Sequence, residues 1–594
     1  MKEAIIFQNK NEIDFLKNKI NLNNYDLYAW TVEAVQELDQ LNLKYILPGD
    51  LSEKKYSFKK RLVLIKKYAN FIKEIDKIFN KTYYLKNKFY PFANFGVGIR
   101  NFFFFYHIEI EFINRIIKEG YKKILYFYYK DNLTSISRII NLIKNKNITR
   151  FDSPWILKNK GDKIYSLHFE NTYKNSFIRK LKKKIVRYKN LLHIGQNKFI
   201  LGSFKYSRKN ILVLNTDFKH IETVINKFKE NKYNILFWHN FSTNNFIEVC
   251  KKKFFLNLKK SLKLKKNFIN KNSDFFYEYI KDLEICLPSI NLLYSNLNFF
   301  KNINTEYNFE KIICSYEDPL SLAISDYLND IKSRTKVNVY LHGGTVGIYN
   351  SIYFPFQQDY IKKSGAQTNL FVYTNRIKYN QKKIAKYYKT KTNYIVEDNE
   401  YYKNIFSKNK IKNKIKKRYN ICIVVGQFLN ISETNFGICR EPNMFKSIID
   451  ILNKIYNINH LNVALKCGYN FELETSNYLK KNFPKVEVIK SNKLLVDFIH
   501  KFDVFIFPTF GSAISEICCT SKPFFIYFDH RIPHYEKKAM LKLKKRAIYT
   551  YSYEIFIKKI QLLKNRNFCK KIITSPKNYN KSFLRNYCLE SKNI

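Results

Sequence analysis

Glycine, proline and tryptophan are all scarce in this chain of 594 residues. It contains 15 glycines, 12 prolines and 3 tryptophans, whereas hydrophobic residues make up 45% and aromatic residues 17% of the sequence. A composition this rich in apolar residues excludes a chain that is mainly disordered. No repeat of fixed period is evident, which excludes solenoids and propellers. We expect two domains, since a single hydrophobic core stops growing at about 250–300 residues.

The chain also lacks the cysteine pairs and the long apolar runs that mark exported or membrane-spanning proteins. Its ten cysteines include no CxxC pair, and most lie within apolar runs. This usage is typical of buried, reduced thiols and not of a disulfide framework or a zinc site. The amino terminus shows no secretory signal, and the most apolar stretch, 102–113, is interrupted by His107, Glu109 and Glu111. We therefore expect a cytoplasmic protein without a transmembrane helix, in contact at most with the inner face of a membrane.

Acidic residues are outnumbered by basic ones. The sequence has 49 Asp and Glu against 106 Lys and Arg, which gives a formal net charge of +57. Such an excess favours nucleic acid or an anionic membrane surface as a partner. However, Lys, Asn, Ile, Phe and Tyr are abundant together, and their A/T-rich codons indicate a bias of genome composition. The lysines are dispersed and no nucleic-acid-binding motif is evident, so no specific nucleic acid is expected. A basic nucleic-acid-binding protein and a membrane-surface scaffold remain alternatives.

Short apolar runs alternate with amphipathic helical patterns, which predicts parallel sheets made of βαβ units. The predicted fold class is α/β, with two Rossmann-like domains that face a cleft. The N-terminal domain is expected at 1–375, enlarged by a basic and helical insertion around 130–305. A basic linker is expected at 376–420, a second Rossmann-like domain at 421–560, and a tail at 561–594 that returns to the N-terminal domain.

Because glycine is rare, the places where it occurs are informative. Open parallel sheets bind ligands at the edge formed by the carboxyl ends of their strands, where glycine lets the backbone approach a phosphate. Three glycines each follow a different predicted strand, and three others cluster after one strand: Gly426, Gly468 and Gly511, and Gly343, Gly344 and Gly347. These loops are the candidate ligand-binding loops.

The segment 503–529 predicts a strand, a loop, a helix and a second strand. Gly511 and Ser512 lie where the loop meets the helix, so the Ser512 hydroxyl and the first-turn amides can hold a diphosphate. Glu516 falls one turn later, where its carboxylate can accept hydrogen bonds from both hydroxyls of a ribose. The structural alternative is that Ser512 caps the helix and Glu516 complements its dipole.

One further position supplies a candidate group for proton transfer. His342 follows a predicted strand and precedes the loop residues Gly343, Gly344 and Thr345. Because imidazole titrates near neutral pH and glycines leave room for substrates, His342 is the candidate general base. Its alternative role is structural.

Cationic groups are needed to neutralise a departing diphosphate. Lys466, at the end of a predicted strand, and Arg440 are candidates for this role, with a surface position as the alternative for each. We find no DxD-like acidic pair, so neither a metal nor a cofactor is expected.

The spacing from Glu516 to Lys522 and Pro523, followed by a strand, resembles the donor-site signature of GT-B glycosyltransferases. The C-terminal part of the chain is more specifically similar to bacterial surface-polymer transferases of the CDP-glycerol glycerophosphotransferase type and related capsule enzymes. The chain departs from the glycerophosphotransferase pattern at Pro508–Ser512, where those enzymes usually have an acidic, tyrosine-containing loop. This difference favours a nucleotide sugar as the donor.

The resemblance implies a metal-independent transferase that moves a sugar or related group from an activated nucleotide to a glycan or lipid-linked acceptor of a surface polysaccharide. The domain at 421–560 would bind the donor and the domain at 1–375 the acceptor. A nucleotide-sugar 2-epimerase of the same fold is the alternative enzyme. The residues expected to bind the donor are Gly426, Lys466, Gly511, Ser512 and Glu516, with His342 as the base.

Overall fold

The protein is represented by a computed structural model. It describes residues 2–51, 58–83, 90–94, 109–129, 140–141, 143, 145–153, 208–214, 219–231, 233–238, 287–315, 318–340, 368–388, 392–408, 415–425, 441–466, 473–489, 494–528 and 536–590. The strands are β1 Glu3–Phe7, β2 Tyr25–Ala29, β3 Lys123–Tyr128, β4 Ile148–Asp152, β5 Asn210–Val213, β6 Asn234–Phe237, β7 Phe309–Cys314, β8 Lys336–Tyr340, β9 Thr368–Val372, β10 Asn393–Val396, β11 Tyr419–Val424, β12 Leu461–Lys466, β13 Glu487–Ile489, β14 Val504–Phe507, β15 Phe524–Tyr527 and β16 Ile548–Thr550. The helices are α1 Lys10–Lys17, α2 Val32–Gln40, α3 Phe58–Thr82, α4 Pro91–Asn94, α5 Lys219–Glu230, α6 Leu287–Tyr307, α7 Pro319–Asp330, α8 Asn375–Tyr388, α9 Glu400–Lys408, α10 Glu441–Ile455, α11 Leu473–Asn482, α12 Ala513–Cys518, α13 Lys537–Lys544, α14 Tyr553–Gln561, α15 Arg566–Ile573 and α16 Leu584–Tyr587.

All strand pairs between these elements are parallel, and they form three sheets. This confirms the α/β fold class with Rossmann-like parallel sheets. The chain divides into two compact units. The first comprises Met1–Leu62, Asn101–Gly161 and Tyr402–Ile594, and the second comprises Val63–Arg100 and Asp162–Tyr401.

The first unit contains a six-stranded sheet in the order β13-β12-β11-β14-β15-β16. Numbered along the chain, this is the order 3-2-1-4-5-6 of doubly wound domains. Its central strands are apolar and buried because helices cover both faces of such a sheet. All four residues of β14 are buried, and β14 pairs with β11 in the register Ile423 to Ile506.

A second, four-stranded sheet in the same unit has the order β2-β1-β3-β4. Its helix α2 packs against α10, and Val35 and Leu38 share one hydrophobic core with Phe445 and Ile448. The sequence predicted a single Rossmann-like domain over 1–375, and the structure corrects this. The first strands form a separate sheet. This sheet shares one hydrophobic core with the C-terminal sheet, because the apolar face of α2 is buried against α10.

The second unit contains a six-stranded sheet in the order β10-β9-β8-β7-β5-β6. The expected insertion at 130–305 includes β5 and β6, which are strands of this sheet. The expected linker at 376–420 contains most of α8, all of β10 and α9, and the start of β11. Ile377 and Tyr394 are buried there, so a Lys-rich segment without glycine still supplies enough apolar side chains to pack on the sheet.

The described part of the tail, residues 561–590, packs within the first unit. Ile572 of α15 belongs to the shared core, and the Tyr587 hydroxyl of α16 donates a hydrogen bond to the Glu536 carboxylate. The Cys588 thiol lies 3.9 Å from the Ser515 carbonyl oxygen. The tail therefore stabilises the domain from which it emerges.

Six cysteines lie among the described residues, and each is a buried free thiol: Cys314, Cys422, Cys518, Cys519, Cys569 and Cys588. This agrees with the usage predicted from the sequence for those six. Over the same part of the chain, none of the helices has the length and apolar character needed to cross a membrane.

Candidate functional site

The topology of the six-stranded sheet in the first unit creates a crevice between β11 and β14. After β11 the chain moves to β12 on one side, and after β14 it moves to β15 on the other. The two loops therefore leave the sheet in opposite directions, and ligands of open α/β sheets bind in the crevice between them. Gly511 and Ser512 follow β14 at this point. Gly426 follows β11 but lies outside the described residues.

The loop after β14 leaves backbone donors unused. Within the described residues, the backbone N–H groups of Gly511, Ser512 and Ala513 make no hydrogen bond. The first bonds of the turn come later, from Ile514 N to the Gly511 carbonyl at 3.2 Å and from Ser515 N to the Ser512 carbonyl at 3.0 Å. Three adjacent N–H groups at the start of a helical turn can bind an anion.

Ser512 itself does not cap the helix. Its backbone is already helical, with φ of −59° and ψ of −31°, and its side chain makes no capping hydrogen bond. The structural alternative proposed for Ser512 from the sequence is therefore not what the structure shows. Glu516 follows Ser512 by four residues, so both side chains lie on the same face of the turn.

Gly511 borders open space. A Cβ atom built at this position meets no other atom within 4 Å. No neighbouring side chain among the described residues therefore requires glycine here. This open space lies beside the partly exposed loop that follows the buried strand β14.

Lys466 ends β12 at the same edge of the sheet and is only 8% exposed. Its register partners are Val424 of β11 and Ile489 of β13, and its carbonyl oxygen accepts a hydrogen bond from Val425 N at 3.1 Å. Adjacent strands lie about 4.8 Å apart, so β12 and β14 are separated by about 10 Å with β11 between them. This burial argues against the alternative that Lys466 is a surface residue. A buried ammonium is costly unless it meets an opposite charge or a hydrogen-bond acceptor.

Several predicted site residues lie outside the described part of the chain. They are His342, Gly343, Gly344, Thr345, Gly426 and Arg440. The strand before His342, β8, ends at Tyr340 in the second unit. The role of His342 as a base stays a prediction. Among the described residues, no group of three or more His, Cys, Asp or Glu side chains is placed to hold a metal ion, and metal independence likewise stays a prediction.

Two polar residues that sequence reasoning missed support the strands of the site. Asp503 is 5% exposed, accepts a hydrogen bond from Asn420 N at 2.9 Å and forms an ion pair with the Lys416 ammonium at 2.8 Å. It thereby joins the starts of β11 and β14, the two strands that border the crevice.

Arg546 holds the turn between α12 and β15. Its Nη2 donates hydrogen bonds to the carbonyl oxygens of Thr520 at 3.0 Å and Lys522 at 2.7 Å, and the side chain is 2% exposed. Burial lowers the pKa of this guanidinium to about 10, so it remains charged at neutral pH. Burial also raises the pKa of the Cys518 and Cys519 thiols at the end of α12, which therefore remain neutral thiols.

The fold and the crevice define a doubly wound α/β protein. No protein-family model matches the sequence, and no curated protein matches it. Among solved structures, the chain is similar to the S. aureus MnaA–UDP co-structure, with a TM-score of 0.37 and 11% identity over 63% of this chain and 93% of that chain. It is also similar to Methanocaldococcus jannaschii UDP-GlcNAc 2-epimerase in complex with UDP-GlcNAc and UDP, with a TM-score of 0.34 and 14% identity over 64% and 98%.

A third similar structure is Acinetobacter baumannii MurG, with a TM-score of 0.31 and 9% identity over 62% of this chain and 94% of that chain. A fold does not determine an activity, so the functional argument depends on the residues of the site.

Proposed function

We propose that this protein is a GT-B-type glycosyltransferase. It transfers a sugar or a related group from a nucleotide-activated donor to a glycan or lipid-linked acceptor of a surface polysaccharide such as a capsule. The observation that supports the proposal is the row of N–H groups at Gly511, Ser512 and Ala513, which make no hydrogen bond to the described part of the chain and lie at the crevice of a parallel sheet with the order 3-2-1-4-5-6.

The residues at this edge match the parts of a nucleotide diphosphate. The three N–H groups and the Ser512 hydroxyl donate hydrogen bonds to the phosphate oxygens. The Lys466 ammonium offsets the negative charge that grows on the diphosphate as its bond to the sugar breaks. Glu516, one turn beyond Ser512, accepts hydrogen bonds from the ribose hydroxyls.

The proposed general base for the acceptor hydroxyl is His342. His342 takes the proton from an acceptor hydroxyl while that oxygen forms its bond to the sugar. The nucleoside diphosphate leaves with the electrons of the broken bond. The reaction needs no metal, and the protein acts in the cytoplasm, at the inner face of the membrane where lipid-linked acceptors are found.

The donor assignment is tested by a thermal-shift screen of UDP, CDP, GDP, dTDP and their sugars. A nucleotide present at about 100 times its Kd stabilises the folded state by about 2.7 kcal/mol, which raises the Tm. We expect at least one nucleotide to raise the Tm of the wild type, and Ser512→Ala and Glu516→Ala to reduce that shift. Glu554→Ala is the matched control, because Glu554 is an exposed acidic residue in the first turn of α14 in the same unit.

The donor assignment fails if no nucleotide stabilises the wild type or if the two variants respond as Glu554→Ala does. Product analysis then separates the two enzyme classes. A transferase releases the nucleoside diphosphate and extends an acceptor, whereas a 2-epimerase leaves the sugar on the nucleotide with altered stereochemistry. His342→Ala should abolish transfer and leave the nucleotide-induced Tm shift unchanged.

A further inference from the structure

Four cationic side chains converge beside β16, the edge strand of the six-stranded sheet in the first unit. Lys544 ends α13, and Arg546 lies two residues before β16. Helix α14 packs along this strand, and the Lys559 ammonium in its last turn donates a hydrogen bond to the Tyr549 carbonyl oxygen at 3.4 Å. Lys577 lies in a single 3-10 turn of the tail. These four cationic residues are called the basic cluster.

Lys577 lies among other positive charges. Its side chain is half-buried, and burial lowers the pKa of the ammonium. The charges of Lys559, Arg546 and Lys544 lower that pKa further. No carboxylate of the described residues forms an ion pair with Lys544, Lys559 or Lys577. Like charges that are held together without a counterion repel one another, so the basic cluster destabilises the protein alone.

Arg546 is the buried member of the basic cluster. It is 2% exposed, and its Nη2 is already bonded to two carbonyl oxygens of the turn before β15. Its Nη1 is buried and has no hydrogen-bond partner among the described residues. The groups beside it are the neutral thiols of Cys518 and Cys519 and the Tyr579 hydroxyl. A buried charge is costly unless it is paired, and an anion from outside the chain would supply the missing charge.

We propose that the basic cluster binds a phosphate group. Phosphate oxygens accept charge-assisted hydrogen bonds from ammonium groups, and the phosphate charge offsets the repulsion within the cluster. The three lysines donate these hydrogen bonds, and Arg546 contributes its positive charge from the buried side. The phosphate belongs either to a soluble phosphate compound or to the headgroup of an anionic lipid.

This phosphate site is distinct from the candidate donor site. The basic cluster lies beside the edge strand and includes Arg546, which precedes the amino end of β16. The loop with Gly511 and Ser512 follows the carboxyl end of β14 instead. The inference therefore does not rest on the proposed function, and either can fail without the other.

The test titrates inorganic pyrophosphate into the full-length protein by calorimetry at constant ionic strength. Lys559→Gln and Lys577→Gln each remove one charge and keep a polar side chain. Lys454→Gln is the matched control, because Lys454 lies in the last turn of α10 as Lys559 does in α14, and it is outside the basic cluster. We expect the Kd of pyrophosphate to rise about tenfold in the two cluster variants and to stay at the wild-type value in Lys454→Gln.

A second arm identifies the source of the phosphate. Vesicles of phosphatidylcholine, with and without phosphatidylglycerol, are sedimented with each variant. If the ligand is a lipid headgroup, the cluster variants should bind the phosphatidylglycerol vesicles more weakly than Lys454→Gln does. If it is a soluble phosphate compound, only the pyrophosphate affinity should separate the variants. Either result supports the phosphate site.

The Tm without ligand distinguishes binding from a structural role. Lys577→Gln should raise the Tm, because it relieves both the repulsion and the burial of a charge. A lower Tm together with wild-type binding would show that Lys577 only stabilises the fold. The inference is overturned if both cluster variants bind pyrophosphate and vesicles as Lys454→Gln does. It is also overturned if only Ser512→Ala weakens pyrophosphate binding, which would place the anion in the candidate donor site.

Discussion

At position 511, a substitution is expected to affect protein stability and nucleotide binding differently. A Cβ atom there meets no atom within 4 Å, so the chain itself accommodates alanine. Gly511→Ala should leave the free energy of unfolding within about 0.5 kcal/mol of the wild type, or raise it slightly through the unfolded state. Nucleotide affinity should fall, because the added methyl group occupies the space where a phosphate approaches the backbone.

The measurement for Gly511→Ala is a urea unfolding curve without nucleotide and a calorimetric titration with nucleotide. Gly49→Ala is the contrasting variant, since its Cβ would lie 2.5 Å from Asn443 Nδ2, and it should lower the stability of the protein. An unchanged nucleotide Kd in Gly511→Ala would remove this loop from the binding site.

Some residues of the candidate site could be predicted from their spacing in the sequence, and others could not. Ser512 and Glu516 lie four residues apart on one short helix, so their spacing was visible in the sequence. Asp503 and Arg546 act through partners 83 and 26 residues away, namely the backbone groups of Asn420 and Thr520. Spacing along the chain carries no signal for such contacts, because they form only when strands pair and a turn closes.

At the level of elements, asparagine side chains link neighbouring strands in register. In the second unit, Asn369 Nδ2 donates to Asn338 Oδ1 at 2.9 Å, and Asn393 Nδ2 donates to Asn369 Oδ1 at 3.0 Å. These three residues are register partners on β8, β9 and β10. A one-residue slip would break the row, so the asparagines specify the register of the sheet.

The position in the row predicts the cost of removing each asparagine. Asn369 is the middle member and makes two of these bonds, whereas Asn393 is exposed at the edge strand and makes one. Asn369→Ala should cost about 1–3 kcal/mol of unfolding free energy, because it also leaves the buried Asn338 without this partner, and Asn393→Ala should cost about 0.5–1 kcal/mol.

Urea unfolding of both single variants and of the double variant measures these costs. The double variant should be less destabilised than the sum of the two, because both substitutions remove the same bond. Strict additivity of the two values would mean that the amides do not interact.

Strands were predictable where most of their residues are apolar. β14 is Val-Phe-Ile-Phe and fully buried, and the sequence predicted it together with β11, β12 and β15. β10 was missed within the expected linker, because only Tyr394 of its four residues is buried. An edge strand pairs on one side only, so its sequence need not carry a continuous apolar run.

At the scale of the whole molecule, chain order did not reveal which elements share a core. The alternation of strands and helices predicted βαβ units at both ends of the chain, and the structure contains them. The pairing of α2 with α10 joins residues about 400 positions apart in one core, and this depends on the shape of two apolar helix faces. A sequence pattern shows that such a face exists but not what covers it.

The net charge of +57 gives a prediction that distinguishes surface binding from site binding. Lysines dispersed over a surface bind polyanions through counterion release, and a protein with 6–10 phosphate contacts loses about 10³–10⁵ in affinity between about 50 and 200 mM salt. In the proposed donor site, a diphosphate held by N–H groups at Gly511 and Ser512 and by the buried Lys466 would be screened much less.

We therefore expect binding to a fluorescent DNA duplex to weaken at least about a thousandfold between about 50 and 200 mM NaCl. Over the same interval the nucleotide Kd should change less than about tenfold. Fluorescence polarisation measures the first quantity and calorimetry the second. DNA binding that persists at the higher salt concentration, beside a nucleotide affinity that disappears, would instead favour a nucleic-acid-binding protein, with the basic surface as its functional site.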